Sequence, residues 1–257
     1  MAWFCDLDGV VWLAGHPITG AADAIHRLRS AGERVLFVTN NSSATVATQE
    51  ATLAAAGVPA EGDVLNSAQA AALLLPPGST ALVCGGPGIE EALAARGVTS
   101  VATGDVDAVV VGFTTGFDYE LLRHAHRAVW RGARLIGTND DATYPTPEGP
   151  IPGGGALLAA VATAAGVTPT VAGKPYGPMA DLAMAMVGPG RHTVVGDRPS
   201  TDGLFARELG ARFALVLSGV TTPADLPVDP TPDIVAPDLA ALVERVLAGQ
   251  PAEPTGQ

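Results

Sequence analysis

Residues 1–12 read MAWFCDLDGVVW, and the reading of this stretch decides the fold. The apolar run Trp3-Phe4-Cys5 has the character of a buried strand, and it ends on Asp6, Leu7, Asp8 and Gly9. Two carboxylates at the tip of a buried strand repel each other, and burying either one is costly. Something elsewhere in the chain has to make the pair tolerable.

At 257 residues the chain suits one large domain or two of ordinary size. Hydrophobic residues make up 47% and aromatics only 5%, so the core must be mainly aliphatic. A formal net charge of −12 argues against a nucleic-acid polymer or an anionic membrane as the main partner. Any phosphate-bearing ligand then needs local positive charge or a metal. Cys5 and Cys84, with no CxxC and no histidine cluster, read as small buried apolar residues in preference to a disulfide or a zinc site. No charged and apolar leader precedes Asp6, and no apolar run nears the roughly 20 residues that cross a membrane. A cytoplasmic enzyme is the expectation.

Apolar β-rich runs and helical patterns alternate along the chain. The runs are 34–39, 80–85, 107–113, 134–138, 192–197 and 212–217; the helical stretches are 21–32, 44–57, 117–132, 154–166 and 200–210. Many of the latter end on glycine, a usual stop signal. The pattern predicts an α/β fold with a mostly parallel sheet covered on both faces. Residues 77–168 carry their own strands and helices and read as an inserted domain. The core is then 1–76 with 169–257. A Pro-rich loop, 221–233, precedes a last strand and helix, and the tail GQPAEPTGQ reads as disordered.

In parallel sheets, chemistry gathers at the carboxyl ends of the strands. Polar groups recur there: Asp6 and Asp8, then TNNSS (39–43), GKP (173–175) after TVA, and GDRPSTD (196–202). Each alone has an ordinary reading as a turn or a helix cap; four together, all at strand ends, do not. A magnesium ion resolves the acid repulsion, since it takes hard oxygen ligands and only a few carboxylates. Asp6 and Asp197 would supply it, Asp8 would add a backbone carbonyl, and Asp202 would orient a bound water. Asp6 stays ionised and can attack phosphorus as a nucleophile. Asp8 can protonate the leaving oxygen and later deprotonate water. Thr39, with the backbone N–H groups of Asn40 and Asn41 at a helix start, and Lys174 would hold the phosphoryl oxygens. Pro175 suits a first helical position, which would aim that helix's positive end at the site.

The motifs DLDGVVW (6–12), FVTNNSS (37–43), GTNDDATYPTPEGPIPGGGALLAA (137–160), VAGKP (171–175) and VVGDRPSTD (194–202) together resemble the haloacid dehalogenase superfamily. They are most similar to its p-nitrophenyl phosphatase and NagD-like subfamily with a C2-type cap, and the resemblance covers nearly the whole chain. It implies a Rossmann-like, doubly wound core, an α/β cap inserted between the second and third motifs, and magnesium-dependent hydrolysis of phosphate esters. It also implies that Asp6 is the nucleophile, Asp8 the acid and base, Thr39 and Lys174 the phosphate binders, and Asp6, Asp8 and Asp197 the magnesium holders. Asn40, Asn41 and the Arg198–Thr201 loop sit where relatives contact substrate. Relatives with this cap often dimerise through it, so a homodimer is an open expectation here.

The second acid, Asp8, favours phosphoryl transfer to water over carbon–halogen chemistry. The short Asp8-to-Thr39 interval leaves no room for a mutase-type cap. In the cap loop, Tyr144 stands where some relatives place a substrate-touching histidine; it either contacts substrate or packs against Pro145 and Pro147. Asp141 reads as a brace for that loop, and Trp12, in a flap after the first motif, as a core residue. The leading expectation is a phosphatase of small phosphorylated metabolites such as sugar, glycerol, glycolate or nucleoside phosphates. A non-catalytic phosphometabolite-binding module and a hydrolase of carbon–halogen or carbon–phosphorus bonds stay open beside it.

Overall fold

The computed structural model describes residues 1–249 apart from 14, 145 and 147. The tail from 250 onward, read as disordered, lies outside the described residues, as do Pro145 and Pro147. By its internal contacts the chain forms two compact units. One comprises residues 1–39, 49–65 and those from 183 on; the other comprises 40–48 and 66–182.

The first unit is built on a six-stranded sheet. Its order is Ile234–Ala236, Arg212–Val216, His192–Gly196, Ala2–Cys5, Arg34–Thr39 and Val64–Asn66. Numbered along the chain, that is 6-5-4-1-2-3, the doubly wound order. The pairs from the first of these strands through Arg34–Thr39 are parallel. The order reverses between Ala2–Cys5 and His192–Gly196, where Cys5 faces Val195 in register. Ligands of such sheets bind outside the carboxyl ends of the strands at this reversal, and Asp6 and Asp197 are the first residues past it.

Apolar spacing makes the covering helices. Ala21–Ser30 buries Ala21, Ala24, Ile25 and Leu28, the i, i+3, i+4, i+7 stripe of an amphipathic helix. It packs on Leu239–Leu247, which buries Leu239, Leu242 and Val243 and is capped by Asp238, whose side chain accepts the Ala241 N–H at 2.8 Å. Phe4 lies edge-on to Phe205 at 6.5 Å and to His192 at 5.7 Å between ring centroids.

The second unit has a five-stranded parallel sheet in the order Thr170–Val171, Arg134–Gly137, Ala108–Val111, Thr80–Cys84 and Thr99–Val101. Leu82, Cys84, Val109, Val111, Leu135, Leu158 and Val161 form an aliphatic core there against helices Tyr119–Trp130 and Gly154–Ala165. Both cysteines are buried, and neither is in a disulfide. Burial pushes the Cys84 thiol up to about 12, so it stays protonated and inert.

Three sequence expectations need correction. The strand at TVA, Thr170–Val171, pairs with Arg134–Gly137 and so belongs to the second sheet, whereas the other three polar clusters follow strands of the first. Pro175 is not a first helical residue: Gly173 to Tyr176 closes a turn (Tyr176 N–H to Gly173 C=O, 2.8 Å), and the helix begins at Gly177. Asn40 and Asn41 are not at a helix start either. The Asn41 side chain accepts the Ser43 N–H at 3.0 Å in a local turn, Thr45 accepts the Thr48 N–H at 3.1 Å, and the helix runs from Val46 to Ala55.

Candidate active site

Three acids meet at the reversal point of the first sheet. Asp6, Asp197 and Asp202 each offer a carboxylate oxygen, and these atoms lie within 4.8 Å of one another. Backbone geometry puts them there. The Asp6 N–H donates to the Val195 carbonyl at 2.9 Å, extending the strand pairing by one residue. Asp202 is five residues past Asp197 and returns toward it through a single π turn, Pro199–Gly203, where a helix of the usual pitch was predicted over 200–210. The regular helix starts only at Leu204. The Arg198 N–H donates to Asp202 Oδ2 at 3.2 Å, and the Thr201 hydroxyl donates to the Arg198 carbonyl at 3.3 Å.

Asp197 is 4% exposed and Asp202 fully buried. Burying two carboxylates beside a third is unfavourable without an opposing charge. The donor set is all hard oxygen, and a small divalent cation fits it.

A loop that the sequence reading passed over completes the cradle. Ser218 to Thr221 follow the strand Arg212–Val216. The Val220 N–H donates to Asp197 Oδ2, and the Ser218 hydroxyl donates to the Gly9 carbonyl at 2.6 Å. Gly219 and Gly9 both press on Asp197: a Cβ on either would run into its carboxylate, and Gly9 also holds φ at +80°. The signal was present, since LSGVTT (217–222) also sits at a strand end.

Asp8 is half-buried, and its Oδ1 accepts the Trp12 indole N–H at 3.1 Å. Trp12 is therefore no plain core residue: it is half-buried on the short hairpin Trp12–Leu13/His16–Pro17 with its polar edge on the acid. Thr39 ends the strand beside Ala2–Cys5 and is 3% exposed. With Phe37 opposite Cys5, it lies at the same end of the sheet as Asp6.

Lys174 and Asn40 belong to the second unit. Lys174 is 3% exposed, and a lysine so buried has a partner almost without exception. Asn40 holds its backbone from both sides, accepting the Lys174 N–H at 2.8 Å and donating to its carbonyl at 3.0 Å. The other Asn40 amide hydrogen goes to Asp141 at 3.0 Å, and the Asn139 side chain and the Ser67 hydroxyl cap the Asn40 carbonyl at 2.9 and 2.7 Å. Asp141 thus braces the loop, as its sequence reading had it. Tyr144 stacks on Phe113 with centroids 4.8 Å apart and planes at 15°; the alternative packing on Pro145 and Pro147 lies outside the described residues. Tyr176 donates its hydroxyl to Asp140, a bond that lifts the phenol to about 12.

Comparisons with known proteins point to one family. The family described as haloacid dehalogenase-like hydrolase matches residues 3–99, and one described as HAD-hydrolase-like matches 171–242. A D-glycerol 3-phosphate phosphatase of Mycobacterium tuberculosis is 38% identical over 86% of this chain, and the chain spans 64% of that protein. A glycerol-3-phosphate phosphatase of Gallus gallus is 36% identical over 84% of the chain and 79% of the relative. Among solved structures, the glycerol phosphate phosphatase of M. tuberculosis in complex with magnesium superposes with a TM-score of 0.87. It is 35% identical and covers 94% of this chain and 75% of its own. A p-nitrophenyl phosphatase from Archaeoglobus fulgidus gives 0.88 at 31% identity, over 95% of this chain and 98% of its own.

The chain belongs to the haloacid dehalogenase-like hydrolase family, in the branch that holds the p-nitrophenyl phosphatases and NagD-like proteins.

Proposed function

We propose that the protein is a magnesium-dependent phosphatase that hydrolyses small phosphomonoesters through an aspartyl-phosphate on Asp6. One observation carries the reading: Asp6, Asp197 and Asp202 converge at the reversal point of a doubly wound sheet, with a second acid, Asp8, two residues along. The phosphatases among its relatives support the same activity.

Asp6, Asp197 and Asp202, with the Asp8 backbone carbonyl, would hold magnesium, which when bound supplies the positive charge that lets these acids stay ionised beside a phosphate. A carboxylate oxygen of Asp6 attacks phosphorus, forming the Asp6 O–P bond as the bond to the leaving oxygen breaks. Asp8 gives that oxygen its proton, so an alcohol departs. Asp8 then takes a proton from water; the water oxygen bonds to phosphorus, the Asp6 O–P bond breaks, and inorganic phosphate is released. Thr39 and Lys174 stabilise the charge on the phosphoryl oxygens, with help from the backbone of Asn40 and Asn41 and from Arg198 and Thr201.

The first unit serves in this reading as the catalytic core and the second as the cap that selects the leaving group, with Tyr144 among its contacts. The division expected near 76 and 168 then runs on through the strand Thr170–Val171. Small polyol and sugar phosphates are the favoured substrates, since relatives are named glycerol-3-phosphate and acid sugar phosphatases. Two buried cysteines outside any disulfide suit a reducing compartment, the cytoplasm. No helix of the described residues is long and apolar enough to cross a membrane. Dimerisation through the cap is a proposal for light scattering to decide.

A p-nitrophenyl phosphate assay tests the whole. Activity is expected with magnesium, lost with EDTA, restored by magnesium, and reduced by orders of magnitude in Asp6→Asn. Equal activity in wild type and Asp6→Asn would sink the reading.

A further inference from the structure

We propose that Trp12 is a positioning residue for the proton-transfer step: its indole N–H holds the Asp8 carboxyl in the rotation from which it serves the leaving oxygen. The inference rests on the phosphatase reading above and adds a residue to it.

Three residues, Gly9 to Val11, separate the two, and the backbone leaves little choice in where the indole goes. The Leu7 carbonyl accepts N–H groups from Val10, Val11 and Trp12 at 3.3, 2.9 and 3.2 Å, winding residues 7–12 into a tight coil. The Gly9 N–H closes back on the Trp12 carbonyl at 2.7 Å, and the Ile18 N–H ties the return of the hairpin to the Val11 carbonyl at 2.9 Å. Trp12 also makes an isolated β-bridge with Asp8 itself. The coil is pinned from the far side by the Ser218 hydroxyl on the Gly9 carbonyl, so the flap, Asp8 and the Asp197 cradle share one backbone frame.

The chemistry of the pair is directional. An indole N–H is a donor only, so it engages a carboxyl oxygen that does not carry the proton. With Oδ1 facing the indole at 3.1 Å, the bond selects one rotation of the Asp8 carboxyl. Phenylalanine would fill the same space and lose this selection. A hairpin residue chosen only for packing has no need of a polar edge turned to the acid two residues after the nucleophile.

The test uses leaving groups. A general acid matters most where the departing oxygen is a poor leaving group and least where it leaves as a stable phenolate. We compare kcat/KM for glycerol 3-phosphate and p-nitrophenyl phosphate in wild type, Trp12→Phe, Asp8→Asn and the double variant. Trp12→Phe is expected to lose about tenfold or more on the alkyl ester and about threefold or less on the nitrophenyl ester, since general acids contribute 10²–10⁴-fold. In the Asp8→Asn background the same substitution is expected to change either rate by no more than about twofold, because the two residues act as a unit. The ratio of the two substrates on one preparation does not depend on how much of the variant is folded. Equal fractional losses on both esters, unchanged rates, or a loss that persists in the Asp8→Asn background would each overturn the proposal. A wild-type protein inert toward both esters would instead overturn the phosphatase reading, and this inference with it.

Discussion

Asn40 grips Lys174 by its backbone, taking the N–H at 2.8 Å and giving a hydrogen to the carbonyl at 3.0 Å. The two residues are 134 positions apart. A side-chain amide suits this double role, since it carries an acceptor and a donor in one plane. Its second hydrogen reaches Asp141, so a single asparagine joins the 138–141 loop to the lysine that the reading assigns to phosphate.

Asn40→Ala should therefore cost both stability and phosphate affinity. Buried groups left without partners cost about 1–3 kcal/mol, and a lysine released from its backbone clamp should raise KM several-fold. Asn40→Asp keeps an acceptor for the Lys174 N–H but sets a carboxylate against Asp141, and it should be worse than alanine in thermal melts. A variant that melts and binds like wild type would remove the clamp from the account.

The acidic trio makes magnesium a stabiliser of the fold. A ligand at a hundredfold excess over its Kd adds about 2.7 kcal/mol, which for a chain of this size is a rise of roughly 5–10 °C in Tm. Asp197→Asn should abolish that rise. A magnesium-induced shift that survives Asp197→Asn would place the ion elsewhere.

Alkaline titration should single out Tyr176. Its hydroxyl donates to Asp140, and the phenol is pushed up to about 12 by that bond first and by burial second. The sign follows from linkage: a group whose folded pKa exceeds its unfolded value stabilises fully below the unfolded value, near 10, and loses that contribution as pH rises through about 12. Phenolate absorbance of wild type minus Tyr176→Phe should show one group titrating near 12, and Asp140→Asn should bring it down. A difference spectrum centred near the free-tyrosine value would show that the bond does not form.

Local pattern carried a good part of this molecule. Apolar β-rich runs located the strands, and their polar endings named Asp6, Asp8, Thr39 and Asp197, because a parallel sheet exposes that end to ligands. Sheet membership was harder. Thr170–Val171 is two residues long, and nothing in TVA says which of two sheets it will join. Asn40 and Asn41 resembled a helix cap, yet their side chains go to Lys174, Asp141 and Ser43, and the first two of these lie a hundred or more residues away. Trp12 looked like core because composition cannot show which edge of an indole meets a carboxylate. The Ser218–Thr221 loop was overlooked for a different reason: it carries no charged group, and its work is done by a glycine's close approach, a backbone N–H and a serine hydroxyl.

A single turnover tests the central claim most directly. Asp8→Asn mixed with p-nitrophenyl phosphate and magnesium should release about one nitrophenolate per site in a burst and then turn over far more slowly, since a good leaving group needs no acid but water still needs a base. Acid quench and peptide mass analysis should find the phosphoryl group on Asp6. Phosphate on any other residue, or steady turnover with no phosphorylated peptide, would contradict the account.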